Sequence, residues 1–131
     1  MRSGVIIIKD KKILLIHRYF QNREYYVIPG GGVEAGESIK VAAIREAKEE
    51  TSLDVKLGKK LWEYKNDYDK RINYFFLVTE FSGELKLGGG EAERNCAEDN
   101  YLLEWHNLDQ LSQLAIRPEA IKEKIIKELA S

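Results

Sequence analysis

Three consecutive glycines, Gly30-Gly31-Gly32, separate a strand-like run (residues 25–28, closed by Pro29) from a helix that opens at Ser38. A glycine tract between a strand end and a helix start marks backbone that bends sharply or approaches something closely. Ser38 is a good N-cap, and the pattern predicts a helix running to about Thr51. Its later half, the negative end of the helix dipole, carries Glu46, Glu49 and Glu50. Such like charges at i,i+3 and i,i+4 repel by a few tenths of a kcal/mol per pair. At about 100° per residue the three carboxylates share one face. Ala43, Ala47 and Thr51 lie on a neighbouring flank, where small side chains let a helix sit close to a sheet. A solvated acidic face is the plain interpretation of this helix, and helical spacing alone does not prove a metal site. A hard divalent cation, however, turns the same liability into a site: Mg²⁺ takes oxygen ligands and combines a few carboxylates with substrate phosphates and water.

The rest of the chain supplies strands around this junction. Residues 5–8 and 13–16 are apolar runs on either side of Lys9-Asp10-Lys11-Lys12 and predict a hairpin with a charged turn. Residues 55–64 and 72–80 predict two more strands, with a turn at 66–70, and residues 84–87 extend the sheet. Residues 101–105 read as the last strand, 108–114 as a short helix, and Pro118 as the first position of a final helix. Between them, GGGEAERNCAEDN (88–100) is a polar loop of the length that usually serves function. The expected fold is a single α+β domain over residues 1–131, a mixed sheet with helices on both faces.

Charge narrows the partners. Lys plus Arg number 21 and Asp plus Glu 22, a net charge of −1, so no overall field draws the molecule to nucleic acid or an acidic membrane. An anionic ligand must be held by local arginines or by a bound cation. The single cysteine, Cys96, allows no intrachain disulfide; with His17 and His106 distant in sequence it reads as a loop thiol rather than a nucleophile. The apolar run at 5–8 is too short for a signal-peptide core or a membrane span, so a cytoplasmic enzyme is expected.

From Gly31 the order is glycine, five residues, Glu37, seven residues, Arg45-Glu46-Ala47, one residue, Glu49-Glu50, one residue, Ser52-Leu53. This resembles the Nudix box of the Nudix (MutT-like) pyrophosphohydrolases, over 23 of the 131 residues. Ser52 stands where that pattern has glycine, and Ala47 fills an aliphatic slot. The flanking layout, a hairpin before and a Leu-Glu-Trp strand near the end, fits as well.

The resemblance implies the Nudix fold and the cleavage of a nucleoside diphosphate linked to a group X, by attack of water on a phosphorus. By position it implies that Glu46, Glu49, Glu50 and the carbonyl of Gly31 ligate Mg²⁺ or Mn²⁺, with Glu37 and Arg45 as supporting pairs. Either Glu50 or a loop glutamate (Glu91, Glu93 or Glu98) is the general base, and Glu98 is preferred for its place just before the 101–105 strand. Arg18 is a candidate for a substrate phosphate, and Tyr25 and Tyr68 for stacking on a base or sugar. The expected partner is a small nucleoside diphosphate derivative, not nucleic acid or membrane. Many members of the family are homodimers, and no patch in this sequence demonstrates one. A non-catalytic nucleotide-binding sensor on the same fold is the alternative; such modules usually lose box acids, and this chain keeps them.

Overall fold

The computed structural model describes residues 1–86 and 99–130. In chain order the elements are β1 (Arg2–Ile6), β2 (Ile8–Lys9), β3 (Lys12–Phe20), β4 (Arg23–Val27), β5 (Gly30–Gly32), α1 (Ile39–Thr51), β6 (Asp54–Lys65), β7 (Ile72–Ser82), β8 (Asp99–Asn107), a 3₁₀ helix (Leu108–Gln113), β9 (Ile116–Arg117) and α2 (Glu119–Glu128). The strands form two sheets, one ordered β5-β1-β7-β6, the other β2-β3-β4-β9 with β8 also paired to β3. β1 runs parallel to β7 and β4 parallel to β9; the other pairs are antiparallel. This is the expected α+β class with mixed pairing, although the strands divide into two hydrogen-bonded sheets.

Side-chain alternation along the strands divides the interior into two cores. Val5, Ile7, Leu14, Phe76 and Val78 face α1 with Ala43 and Ala47, while Ile6, Ile13, Leu15 and Phe75 face α2 with Ile121 and Ile125. Successive strand residues point to opposite faces, so the helices cover opposite sides. The side chains of Ile6, Ile7, Leu14, Leu15 and Phe76 are almost wholly removed from water, each worth roughly 1.5–3 kcal/mol in transfer terms.

Several elements differ from expectation for identifiable reasons. The apolar run 5–8 is not one strand: the chain passes from one sheet to the other at Ile7, whose carbonyl accepts from Leu14 N–H at 2.9 Å. The hairpin survives as β2–β3, turning at Asp10 and Lys11 with φ of 52° and 64°, the positive pair that matches strand twist in a two-residue turn. The glycine tract is itself a strand, β5, paired antiparallel to β1. Strand β8 begins at Asp99, and β9 follows it, too short for any periodicity to show. Pro118 is the N-cap of α2 rather than its first helical residue. Residues 84–86 form no strand; Lys86 instead donates its N–H to the Thr51 carbonyl at 2.9 Å.

Candidate active site

Helix α1 is held where its sequence predicts. Ser38 Oγ accepts from Val41 N–H at 3.1 Å, and buried Ser3 on β1 donates its hydroxyl to the Ile39 carbonyl at 2.8 Å. Ala42, Ala43 and Ala47 are fully buried, so the helix lies close on β1. At the far end Ser52 takes the left-handed conformation, φ 66°, where the family pattern has glycine. Its Oγ donates to the Lys86 carbonyl at 2.9 Å. A left-handed residue with a Cβ costs roughly 1–2 kcal/mol, and that bond offsets part of it.

The close packing puts two of the three carboxylates against the glycine strand. Gly30 N–H donates to Glu50 Oε1 at 2.6 Å, and Glu50 is only 9% exposed. A methyl group at Gly31 would overlap the Glu46 carboxylate, and one at Gly30 would overlap the backbone of Ser3 and Gly4. Neither glycine has a positive φ. They are needed for close approach, not for a bend. Glu49, by contrast, faces outward at 57% exposure.

Arg45 organises the acids. Its Nε and Nη2 form a fork on Glu37 at 2.7 and 2.9 Å. Nη2 also donates to the Gly32 carbonyl at 2.9 Å, and Nη1 reaches Glu46 at 2.9 Å and Glu49 at 3.1 Å. Paired this way, and with a hydrogen bond from Glu34 N–H, the Glu37 carboxyl is pulled down to about 2, while the Arg45 guanidinium is held more basic than usual, first by Glu37. Burial pushes the Glu46 carboxyl up, against the pull of Arg45. A charged form that has lost water is one that a cation would relieve.

Glu46 and Glu50 open into a cleft of about 340 Å³ lined also by Arg2, Arg18, Tyr25 and Tyr101. The Arg18 guanidinium lies 4.0 Å from the ring centroid of Tyr101 and 5.7 Å from that of Tyr25. The structure therefore gathers Gly31, Glu46, Glu50, Arg18 and Tyr25 in one cleft, with Arg45 and Glu37 behind them. It does not bring in Tyr68, which stands 99% exposed on the β6–β7 turn. Glu91, Glu93, Glu98 and Cys96 lie outside the described residues.

Among the described residues no three His, Cys, Asp or Glu groups enclose a metal position on their own. The donors present are carboxylate oxygens on an open cleft. That suits Mg²⁺, which keeps waters and takes substrate phosphates beside one or two carboxylates.

Sequence reasoning missed Arg2 and Tyr101. Arg2 precedes an apolar run and reads as a terminal charge. Only the pairing of β1 with β5, Arg2 opposite Gly32, places it beside the acids. On the opposite face of β3 from Arg18, His17 bonds Glu104 through Nδ1 at 2.9 Å and Glu24 through Nε2 at 2.7 Å, and stacks on Tyr26. His106 reaches the other oxygen of Glu104 at 2.8 Å. Both histidines lie on strands of the second sheet.

A metal-compatible acidic helix seated on a glycine strand, beneath a cleft lined with arginine and tyrosine, defines a class of phosphate-handling enzyme. The family model described as NUDIX domain matches residues 1–129, and the chain belongs to the Nudix hydrolase family. It is 38% identical over 130 residues to an ADP-ribose pyrophosphatase of Methanocaldococcus jannaschii, covering 94% of this chain and 68% of that protein. In fold it resembles a MutT studied from Aliivibrio salmonicida and Vibrio cholerae, with TM-score 0.76, 23% identity and coverage of 98% and 97% of the two chains. The ORF135 protein of E. coli is similar too, with TM-score 0.72, 25% identity and coverage of 96% and 84%. No helix among the described residues is long and apolar enough to cross a membrane.

Proposed function

We propose that this chain is a Mg²⁺- or Mn²⁺-dependent pyrophosphohydrolase that cleaves a nucleoside diphosphate linked to a group X. The observation that carries the proposal is the pair Glu46 and Glu50, projected from one helix onto β5 in the cleft shared with Arg2 and Arg18. Glu46, Glu50 and the Gly31 carbonyl would hold the cation, with Glu49 joining from the rim. When bound, the cation neutralises phosphate charge and lowers the pKa of a bound water. Arg2 and Arg18 suit phosphate oxygens, since a planar guanidinium offers paired donors. Arg45, engaged with Glu37, Glu46 and Glu49, positions those carboxylates rather than touching substrate. Glu50 and Glu98 are the two candidates for taking the proton from the attacking water; Glu50 already reaches the cleft.

The substrate is a small nucleotide derivative. That agrees with a net charge of −1 and with the pyrophosphatase named among the relatives. The test is a nucleotide-library screen with Mg²⁺ and with Mn²⁺, the products identified by mass. Release of a mononucleotide only when metal is present supports the proposal. Hydrolysis that ignores EDTA, or that survives Glu50→Gln undiminished, defeats it.

A further inference from the structure

A second cleft of about 350 Å³ adjoins the first. The two share Arg2, Val27, Ile28, Gly30 and Gly31 as a common wall. Only one of them contains Glu46 and Glu50. The other is lined by Arg71, Arg117, Asp69, Asn73, Tyr64 and Phe75. Each volume lies within the range for small-molecule sites, roughly 300–1,000 Å³, so each has room for an organic group of its own. Resting on the proposed reaction, the geometry points to a substrate with an organic group on both ends of its pyrophosphate, a nucleoside diphosphate sugar rather than a nucleoside triphosphate. The diphosphate lies at the common wall, where Arg2 serves both chambers.

The linings divide the two ends by chemistry. Tyr25 and Tyr101 put aromatic rings in the acidic chamber, suited to a base. The other chamber sets donors against acceptors over an aromatic floor. Arg71 and Asp69 pair at 3.0 Å, with the Asp69 carboxyl held low first by the Arg71 N–H. Asn73 and Tyr64 add neutral polar groups beside Phe75. Mixed donors and acceptors with one apolar surface suit a polyhydroxylated ring. A bare phosphate, the third group of a triphosphate, would leave most of this chamber empty.

Calorimetric titration separates this inference from the reaction itself. The probes are the uncleavable α,β-methylene analogues of ADP-ribose and of ATP, with Mg²⁺ present. The ADP-ribose analogue is expected to bind at least about tenfold more tightly, and Arg71→Ala or Arg117→Ala to shrink that ratio at least about threefold. Both arginines are more than half exposed, 52% and 56%, so their truncation leaves the fold intact, which melting curves verify. Equal binding of the analogues, tighter binding of the ATP analogue, or a preference that neither variant alters overturns the two-chamber assignment. A preference that shrinks in both variants, found with a wild-type protein that cleaves neither natural compound, upholds the chambers and strikes only the proposed reaction.

Discussion

The Glu50 carboxylate accepts the Gly30 amide hydrogen at 2.6 Å, joining the last turn of α1 to the glycine strand. The same side chain is therefore both a strut and a candidate ligand, with one oxygen committed to the backbone. Glu50→Gln keeps the shape and an acceptor oxygen but loses the charge. Turnover is expected to fall by at least two orders of magnitude, about 3 kcal/mol of transition-state stabilisation, while the melting temperature stays within a few degrees of wild type. A Gln variant that turns over normally would remove Glu50 from the site.

The three glycines make unequal demands. Gly30→Ala drives a methyl into the Ser3–Gly4 backbone, which cannot swing aside as a side chain can. A loss of stability of roughly 2–4 kcal/mol is expected, of the size typical of overpacking or more. Gly31→Ala meets the Glu46 carboxylate instead, so activity and metal affinity should fall more than stability. Gly32→Ala meets nothing within 4 Å and should be nearly silent. Denaturant melts and metal titrations on the three variants would rank them, and a severe Gly32→Ala would contradict the ordering.

Removing Arg45 strands Glu37, Glu46 and Glu49 beside one another. Arg45→Met is expected to lower the melting temperature at neutral pH by at least about 5 °C, well over half a kcal/mol for a domain of this size. Arg45→Lys restores the charge without the fork on Glu37 and should recover only part. Glu37, whose carboxyl is held at about 2, contributes stability above its ordinary 4.5 and loses it as the pH falls toward 2. The gap between wild type and Arg45→Met should accordingly narrow in acid. A gap independent of pH would show that the guanidinium acts only by packing.

His17 offers a test in the opposite direction. Burial works against its protonation, but the hydrogen bonds to Glu104 and Glu24 outweigh it and raise the imidazole above 6.5. Burial likewise opposes the ionisation of Glu104, and the two histidines hold it below 4.5 all the same. The His17 contribution is whole below 6.5 and drains as the pH rises through the higher folded value. That of Glu104 is whole above 4.5 and drains as the pH falls through its lowered one, so the two overlap fully between 4.5 and 6.5. The stability difference between wild type and His17→Gln should be larger at pH 6 than at pH 9, by a modest margin because Glu24 is half exposed. A difference that grows toward alkaline pH would reverse the assignment.

At Ser52 two effects compete. Ser52→Ala keeps the left-handed strain and loses the bond to Lys86, so a loss of about 1 kcal/mol is expected. Ser52→Gly removes both and should fall within about 0.5 kcal/mol of wild type. Chemical denaturation measures both, and an Ala variant as stable as wild type would show that the hydroxyl contributes nothing.

Local chemistry was the legible part of this protein. Ser38, the alanine flank and the carboxylate face located α1 to within a residue, because capping and helical period are written in neighbouring positions. The supporting role of Arg45 and Glu37 came from the resemblance, and the structure pairs the two. What escaped depends on partners far along the chain. β5 is a strand only because β1 runs beside it, and three glycines carry no alternation to reveal that. Arg2 and Arg117 come from the start and the end of the sequence, yet both line one cleft. Glu49 shares a helical face with Glu46 and Glu50 yet stands 57% exposed, a difference that spacing cannot rank.

Ile7 is the single residue between β1 and β2, and across it one sheet gives way to the other. Arg2, Gly30 and Gly31 stand on the first sheet, and Arg18, Tyr25 and Tyr101 on the second. At this point the jaws of the cleft are joined by one residue, buried and bonded to β3. Discrimination by size then belongs to the scaffold, and changes that repack Ile7 should shift which ligands fit without touching any group that meets them.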